Sequence, residues 1–206
     1  MQGFFLVGPD FQTGAQLNAM KQMLRHRGIA IQKWEFRSVK LQLNLATEAD
    51  ISEIFRLAEA SWQAHYPAII GQEQVDYMLA RFYNDESLLQ QMREGQRFYF
   101  ITLENERVGF VAISSPGKHF LAPDSHFIHK FYLHPAQQNK GVGAVAFQSL
   151  VDTEPEANMI RLQVNRGNFK PINFYFKLGF HIESVGDFSI GDGYEMNDFV
   201  MVWTRS

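Results

Sequence analysis

Residues 134–150, HPAQQNKGVGAVAFQSL, combine glutamines, a lysine and two glycines where a β-rich run meets an apolar periodic segment. Residues 138–143 form a Q-x-x-G-x-G pattern, and Ala144 follows it. Glycines at the start of a helix leave backbone N–H groups unhindered, and the positive end of the helix dipole lies there. The pattern therefore indicates a cradle for a pyrophosphate, to which Lys140 adds a positive charge.

The same glycines also fit a dinucleotide fingerprint, because Gly141, Gly143 and Ala146 match G-x-G-x-x-A. That fingerprint requires an acidic residue about 20 positions further on, at the end of the next strand, to bind a ribose. Here the next strand, MIRLQVN, ends at Asn165 without a carboxylate, and the loop lies past the midpoint of the chain. We therefore reject the dinucleotide interpretation.

A second motif follows in residues 164–180, VNRGNFKPINFYFKLGF. Together the two stretches resemble the acetyl-CoA-binding motifs of the GNAT superfamily of N-acetyltransferases, [RQ]-x-x-G-x-[GA] and N-x-x-A-x-x-x-Y-x-x-x-G-F. The second pattern is matched at Asn168, Tyr175, Gly179 and Phe180. Its alanine position carries Pro171, which a first helical turn tolerates because the missing N–H has no intrahelical partner there.

The resemblance covers about residues 41–204, and the flanks, including ASWQAHYPAIIGQEQVDYMLARFY, resemble a small-molecule branch that includes polyamine acetyltransferase relatives. It implies a mixed α/β GNAT fold. That fold has a single central, mostly antiparallel sheet with a splayed pair of strands, flanked by helices. Residues 1–40 would be an extension of unknown role, and residues 41–206 the acetyltransferase domain.

The resemblance also implies acetyl-CoA as the co-substrate and assigns its contacts. The splayed strand would face the thioester, and the glycine loop would hold the pyrophosphate. The implied contact residues are Phe131, Tyr132, Leu133, Gln138, Asn139, Lys140, Gly141, Val142, Gly143 and Ala144, with Asn168 and Tyr175 from the second motif.

Tyr175 is the residue that we expect to assist departure of the thiolate. A thiol like that of cysteine has a pKa of about 8.5 and a phenol about 10, so a tyrosine can supply a proton or a hydrogen bond. The competing interpretation is a core tyrosine, because Ile172 and Phe176 share its apolar helical face. Asn168 is predicted to be the N-cap of this helix.

The sequence identifies the general base less clearly than the other residues of the site. An alkylamine with a pKa of about 10.4 must lose a proton before it attacks. His129 would share one side of its strand with Phe131 and Leu133 and is the candidate, against a structural histidine or a water relay. The histidines do not indicate a metal site, because they scatter over both faces of the strand and no carboxylate joins them.

Two features indicate the acceptor. Trp62 and Tyr66 lie one helical turn apart and can stack on a cation, although core packing would use them equally well. The stretch from Glu183 to Asp198 is acidic and contains no Lys or Arg. It is either a solvated loop or a patch that attracts a cationic amine, with Asp198 as a predicted substrate-binding residue.

The elements that must position these residues follow from periodicity. Thr47 and Asp50 offer a capping-box-like helix start, and Pro67 and Gly71 should end that helix. The predicted helices are 51–66, 72–83, 85–95, about 142–152 and 169–179, and the predicted strands are 41–46, 97–104, 107–115, 126–134, 159–165, 180–188 and 194–204.

Composition bounds the function. The 206 residues include no cysteine, so neither a disulfide nor a thiolate metal site exists, and a cytoplasmic location is expected. The net charge of −3 argues against a nucleic-acid partner. No apolar run reaches the length of a membrane span, and the start, MQGFFLVGPDF, lacks the pattern of a signal peptide. A homodimer stays an open option.

These observations favour direct transfer of an acetyl group from acetyl-CoA to the amine of a small molecule, with a polyamine as the leading acceptor. The alternatives are a protein or peptide N-terminus as acceptor, and a non-catalytic acyl-CoA sensor.

Overall fold

The computed structural model describes residues 41–205, so the predicted N-terminal extension lies outside the described residues and the domain division stays a prediction. The strands are β1 Leu41–Leu45, β2 Arg97–Leu103, β3 Glu106–Ser114, β4 His126–Leu133, β5 Met159–Asn165, β6 His181–Gly191 and β7 Tyr194–Thr204. The helices are α1 Ile51–His65, α2 Pro67–Ile70, α3 Gln72–Phe82, α4 Asp85–Arg93, α5 Val142–Thr153 and α6 Phe169–Lys177. Between residues 41 and 205, no helix is both long and apolar enough to cross a bilayer.

The start of α1 forms as its sequence predicts. The backbone N–H and the hydroxyl of Thr47 both donate to Asp50 Oδ2, at 2.9 and 2.8 Å, which closes a capping box ahead of the helix. The predicted break after α1 is more ordered than expected, since Pro67 begins the short helix α2 and Gly71 ends it. The φ of 84° at Gly71 suits a glycine.

One sheet has the order β1-β2-β3-β4-β5-β7-β6, and β4–β5 is its parallel pair. This confirms the predicted mixed α/β fold with a mostly antiparallel sheet. Helices α1, α3 and α4 pack on one face, here the α1 face, around Phe98, Phe100 and Phe110. Helices α5 and α6 pack on the other, the α5 face, around residues such as Val111 and Leu162.

Strands β4 and β5 diverge part of the way along. Their pairing runs from His126 opposite Ile160 to Ile128 opposite Leu162 and stops there. Beyond that point β4 continues against β3, while β5 continues against β7. A cleft therefore opens in the middle of the sheet, and the splayed pair implied by the resemblance is confirmed.

A β-bulge at His129 changes which residues of β4 share a face. Ala112 pairs with Lys130 and Ile113 pairs with Ile128, so His129 is an extra residue in β4. Ile128 and Phe131 consequently both pack on the α5 face, although three positions separate them. Regular alternation, the basis on which His129 was expected to share a side with Phe131 and Leu133, does not hold across the bulge.

Lys130 is buried on the α1 face without an acidic partner among the described residues. Its Nζ donates to Gln91 Oε1 and Gln96 Oε1, and it lies 5.4 Å from the ring centroid of Tyr83 and 5.3 Å from that of Phe98. Burial in this apolar cluster lowers the pKa of Lys130 to about 7, because desolvation disfavours the ammonium.

We expect Lys130 to make stability pH-dependent. Because the folded-state pKa lies below the unfolded value of about 10.4, the unfolded chain binds more protons between the two values. The free energy of unfolding should therefore rise as the pH increases from about 7 to 10, by at most about 1.4 kcal/mol per pH unit.

Chemical denaturation of the wild type and Lys130→Met across this range measures the effect. The variant should be the more stable protein near pH 7, and the difference should shrink with rising pH. Lys177→Met, which removes an exposed lysine, is the control. Parallel curves for wild type and Lys130→Met would mean that Lys130 stays protonated in the folded protein.

Candidate active site

The free edge of β4 supplies main-chain groups to the cleft. The N–H of His134 donates to Val108 O of β3 at 2.7 Å. Because peptide groups alternate in direction along a strand, those of Phe131 and Leu133 point the opposite way, into the opening where β5 no longer pairs. Gln138 Nε2 donates to Leu133 O at 3.1 Å, which joins this edge to the glycine loop.

The glycine loop offers a run of unpartnered N–H groups. It leaves β4 through a 3-10 turn, Pro135–Gln137, and leads into α5 at Val142. Within the described residues, the N–H groups from Asn139 to Gly143 donate to no backbone or side-chain acceptor, whereas that of Ala144 donates to Gly141 O. Since this run ends at the positive end of α5, the loop suits a pyrophosphate.

Gly143 lies in close contact with α6 and β4. A Cβ at this position would lie 3.0 Å from Phe174 Cζ of α6 and 3.6 Å from Leu133 Cδ1 of β4. Phe174 in turn contacts Phe131, with ring centroids 5.9 Å apart. The two sequence motifs are therefore in direct contact, and a side chain at residue 143 would push them apart.

His65 is a site residue that sequence reasoning missed. Its Nε2 lies 2.7 Å from Gln138 Oε1, so the last residue of α1 is hydrogen-bonded to the glycine loop. The two residues are 73 positions apart and belong to no common motif, so no local signal reveals the contact. The bond fixes the end of α1, and with it Tyr66, relative to the loop.

Tyr175, on α6, is 8% exposed and packs in the α5-face cluster, where its ring contacts those of Phe174 and Phe180. No hydrogen bond within the described residues involves its hydroxyl. Desolvation raises the pKa of Tyr175 well above its usual range, and the nearby Tyr66 raises it further. Asn168 occupies the N-cap position of α6, as predicted, but its side chain does not cap the helix. It lies instead beside Tyr66, where it lowers the pKa of that phenol.

Trp62 and Tyr66 form an aromatic wall on the α1 face of the cleft. Their rings stack with centroids 4.3 Å apart, and Trp62 also contacts Tyr83 and Tyr132. Trp62 is largely core, at 5% exposure, but its Nε1 donates to no acceptor within residues 41–205. Desolvation raises the pKa of Tyr66 to about 12, so its hydroxyl stays protonated.

The acidic stretch is not a loop but the hairpin formed by β6 and β7. Glu183 pairs with Arg161, and Asp187 pairs with Arg166. Asp198 differs from both, since it is 4% exposed and its carboxyl accepts no hydrogen bond from the described residues. Desolvation raises the pKa of Asp198 to about 7, against a smaller lowering by Arg166.

His129 lies away from the cleft edge of β4, so the predicted position of this candidate base is wrong. The cause is the bulge, which places its side chain with residues of the other face. Its Nε2 lies 2.8 Å from Ser114 Oγ, and its ring contacts those of His119 and Phe127. Desolvation, with the charge of Lys130 and His119, lowers the pKa of His129 to about 3. A histidine in this state binds protons too weakly to serve as a base near neutral pH.

The glycine loop, the free edge of β4 and the side chains of Trp62, Tyr66, Tyr175 and Asp198, a group here called the chamber, therefore lie around one opening in the sheet. This arrangement suits a ligand whose phosphate lies at the loop and whose other end lies beside these side chains. Within the described residues, no group of three or more His, Cys, Asp or Glu side chains could hold a metal ion.

Comparison with known proteins identifies the family. Residues 52–180 match the family model described as the acetyltransferase (GNAT) family, so the chain belongs to that family. The spermidine N(1)-acetyltransferase of Thermoplasma acidophilum is 22% identical over 166 residues, which cover 76% of this chain and 99% of that protein.

Solved structures agree on the fold. The PaiA N-acetyltransferase of Thermoplasma acidophilum in complex with coenzyme A superimposes with a TM-score of 0.64 at 20% identity, over 81% of this chain and 99% of that one. The ribosomal-protein-S18-alanine N-acetyltransferase of Escherichia coli gives a TM-score of 0.58 at 14% identity, over 80% and 94% of the two chains. The unpartnered loop amides from Asn139 to Gly143 fit the pyrophosphate of coenzyme A.

The Tyr175 hydroxyl should be dispensable for stability. Because it makes no hydrogen bond to a described residue, Tyr175→Phe should change the free energy of unfolding by less than about 0.5 kcal/mol. Tyr77 is the matched control, since its hydroxyl donates to Ile190 O at 2.6 Å. Tyr77→Phe should lower stability by about 1 kcal/mol. Denaturant unfolding of both variants measures the contrast, and a larger loss in Tyr175→Phe would indicate a structural hydroxyl.

Proposed function

We propose that this protein transfers an acetyl group from acetyl-CoA directly to the primary amine of a small cationic molecule, with a polyamine as the leading acceptor. The observation that carries the proposal is the continuity of the site. Amides of the glycine loop that have no partner among the described residues lead along the free edge of β4 to Tyr66, which interacts with both Tyr175 and Asp198.

Different parts of the protein bind different parts of acetyl-CoA. Loop amides from Asn139 to Gly143, with Lys140 and the start of α5, hold the pyrophosphate. The N–H groups of Phe131 and Leu133 line the free edge, where they orient the pantetheine arm and polarise the thioester carbonyl. Acetyl-CoA supplies the activated acetyl group.

Tyr175 acts on the departing sulfur. Its raised pKa makes it a weaker acid than a phenol in water. We therefore assign its hydroxyl to donate a hydrogen bond that strengthens as charge develops on sulfur, with proton delivery in step with C–S cleavage. Because no residue between 41 and 205 forms a hydrogen bond with this hydroxyl, it is available for that bond.

The chamber suits a small ammonium group. Tyr66 and Trp62 present ring faces that stabilise a cation, and Asp198 adds a buried carboxyl. The similarity to a spermidine N(1)-acetyltransferase supports a polyamine acceptor. Structural likeness to a ribosomal-protein-S18-alanine N-acetyltransferase keeps a protein N-terminus as the rival acceptor. A cytoplasmic location and a homodimer stay predictions.

We expect Gly143→Ala to weaken acetyl-CoA binding. The added Cβ would meet Phe174 at 3.0 Å. Such overpacking costs about 1–3 kcal/mol, which corresponds to roughly a 5- to 150-fold increase in Kd if the strain falls on the loop. Isothermal titration calorimetry with acetyl-CoA measures it.

The double variant Gly143→Ala/Phe174→Leu should recover most of the affinity, because the smaller side chain leaves room for the Cβ. Phe174→Leu alone is the control for the lost aromatic contact. Unchanged acetyl-CoA affinity in Gly143→Ala would mean that Phe174 moves to make room for the added Cβ.

Release of free CoA from acetyl-CoA tests the reaction with a panel of acceptors: spermidine, spermine, amino acids, aminoglycosides and peptides with free N-termini. We expect turnover on an aliphatic polyamine, and a loss of kcat of about 10²–10⁴-fold in Tyr175→Phe. Tyr77→Phe should retain wild-type kcat. Faster turnover on peptides than on polyamines would mean that a protein N-terminus is the acceptor. Binding of acetyl-CoA without turnover on any compound would favour a non-catalytic sensor.

A further inference from the structure

We propose that Asp198 is the general base that takes the proton from the acceptor ammonium. This inference rests on the proposed acetyl transfer and deepens it, because it assigns the step that the sequence left without a residue. It is carried by the position and burial of one carboxyl group.

Strand geometry points the Asp198 side chain into the chamber. On β7, Tyr194 and Met196 pack against the α1-face cluster, whereas Phe199 and Met201 pack on the α5 face. Side chains alternate along a strand, so Asp198 points to the α1 face, on which Tyr66 lies. Its Cα partner on β5 is Asn165, beyond the last β4–β5 pair. The carboxyl is therefore beside the cleft.

Burial without a partner is unusual for a carboxyl group. Asp198 is 4% exposed, and no described residue donates a hydrogen bond to it. Folding normally avoids this arrangement, because a desolvated carboxylate without donors is unfavourable. A buried acid of this kind beside a cleft indicates a functional group whose partner arrives with the substrate.

The surroundings leave the carboxyl able to gain and lose a proton. Among the described residues, Tyr66, from the end of α1, and Arg166, from the β5–α6 connection, are the titratable groups that interact with it. Arg166 is already bonded to Asp187. Gly186, the partner of Asp198 on β6, carries no charge. Burial raises the pKa of Asp198 to about 7, which is suited to proton transfer near neutral pH.

A second buried group near Asp198 also lacks a partner. Gln163 Nε2 donates to no acceptor within residues 41–205. Gln163 pairs with Val200 across β5 and β7, so it is the diagonal neighbour of Asp198 on the same face. A hydrogen-bond donor, Gln163 Nε2, and a proton acceptor, the Asp198 carboxylate, thus lie on the same face of the sheet. The carboxylate suits the ammonium group of a substrate, and the amide donor suits a second polar group of that substrate.

The protons balance as follows. The acceptor R–NH3⁺ gives one proton to the Asp198 carboxylate, and the free amine forms the C–N bond to the acetyl carbon. The C–S bond then breaks, and the sulfur gains a proton by way of Tyr175. The amide nitrogen loses its second proton, which restores Tyr175 through solvent, and Asp198 releases its proton to solvent. Overall, R–NH3⁺ and acetyl-CoA give the N-acetylated amine, CoA–SH and one proton.

Asp198→Asn tests the base against a role in binding alone. We expect kcat to fall by about 10²-fold or more with the best acceptor of the panel. Wild-type kcat/KM should rise through a pH of about 7. In the variant, kcat/KM should no longer level off above a pH of about 7. It should instead rise roughly tenfold per pH unit toward the amine pKa of about 10.4, because only the free amine can react. A raised KM with unchanged kcat would overturn the proposal and leave Asp198 as a binding residue.

Two controls separate chemistry from folding. Asp192→Asn makes the same change in the exposed turn of the same hairpin, and it should behave like the wild type. Asp198→Asn should unfold at a higher temperature than the wild type at pH 8, because it removes an unpartnered buried charge. A lowered unfolding temperature would mean that the carboxyl has a structural role.

The protonation of Asp198 can also be measured without any catalytic turnover, so this proposal can be tested separately from the proposed acetyl transfer. Carboxyl ¹³C NMR of aspartate-labelled protein, with Asp198→Asn for assignment, follows the titration of the group directly. Titration at a pH of about 7 would support the base even if the panel contained no acceptor. Titration at the usual aspartate value of about 3.9 would overturn it, whatever the enzyme acetylates.

Discussion

Hydrogen bonding between the parallel strands β4 and β5 stops at Ile128 and Leu162, and every part of the site is placed relative to that point. Continued pairing would bring β5 against the peptide groups of Phe131 and Leu133. Those groups are strong donors and acceptors, and leaving them unpaired is unfavourable unless a ligand or water satisfies them. The sheet therefore gives up backbone hydrogen bonds along one edge, and a ligand with amide groups of its own can replace them.

Packing on both faces keeps the opening in place. On the α5 face, Phe131 contacts Phe174, and Phe174 lies where a side chain on Gly143 would be, so the free edge, the loop and α6 form one packed unit. On the α1 face, the His65–Gln138 hydrogen bond holds the end of α1 against the same loop. Tyr66 and Tyr175 consequently approach the cleft from opposite faces of the sheet and interact through the gap.

The sequence predicted the elements and the cofactor loop because both are local. Alternating strands, the capping box at Thr47 and the glycine spacing each depend on neighbouring residues. The features that the sequence did not predict all depend on tertiary contacts. A single extra residue at His129 leaves no trace in HFIHKFYLH, yet it moves that histidine to another face. The acidic run around Asp198 has the composition of a surface, and only the register of β7 reveals that one of its acids is buried.

Burial also explains how an aspartate could accept a proton from an alkylamine. In water the transfer is unfavourable by several pKa units, since the reference values are about 3.9 and 10.4. Inside the chamber, desolvation disfavours the ion pair of carboxylate and ammonium relative to a neutral acid and a neutral amine. The difference between the pKa values of the amine and the aspartate therefore becomes smaller. Desolvation also keeps the phenols of Tyr66 and Tyr175 protonated. One low-dielectric environment can thus hold a proton donor for the sulfur and a proton acceptor for the amine at the same cleft.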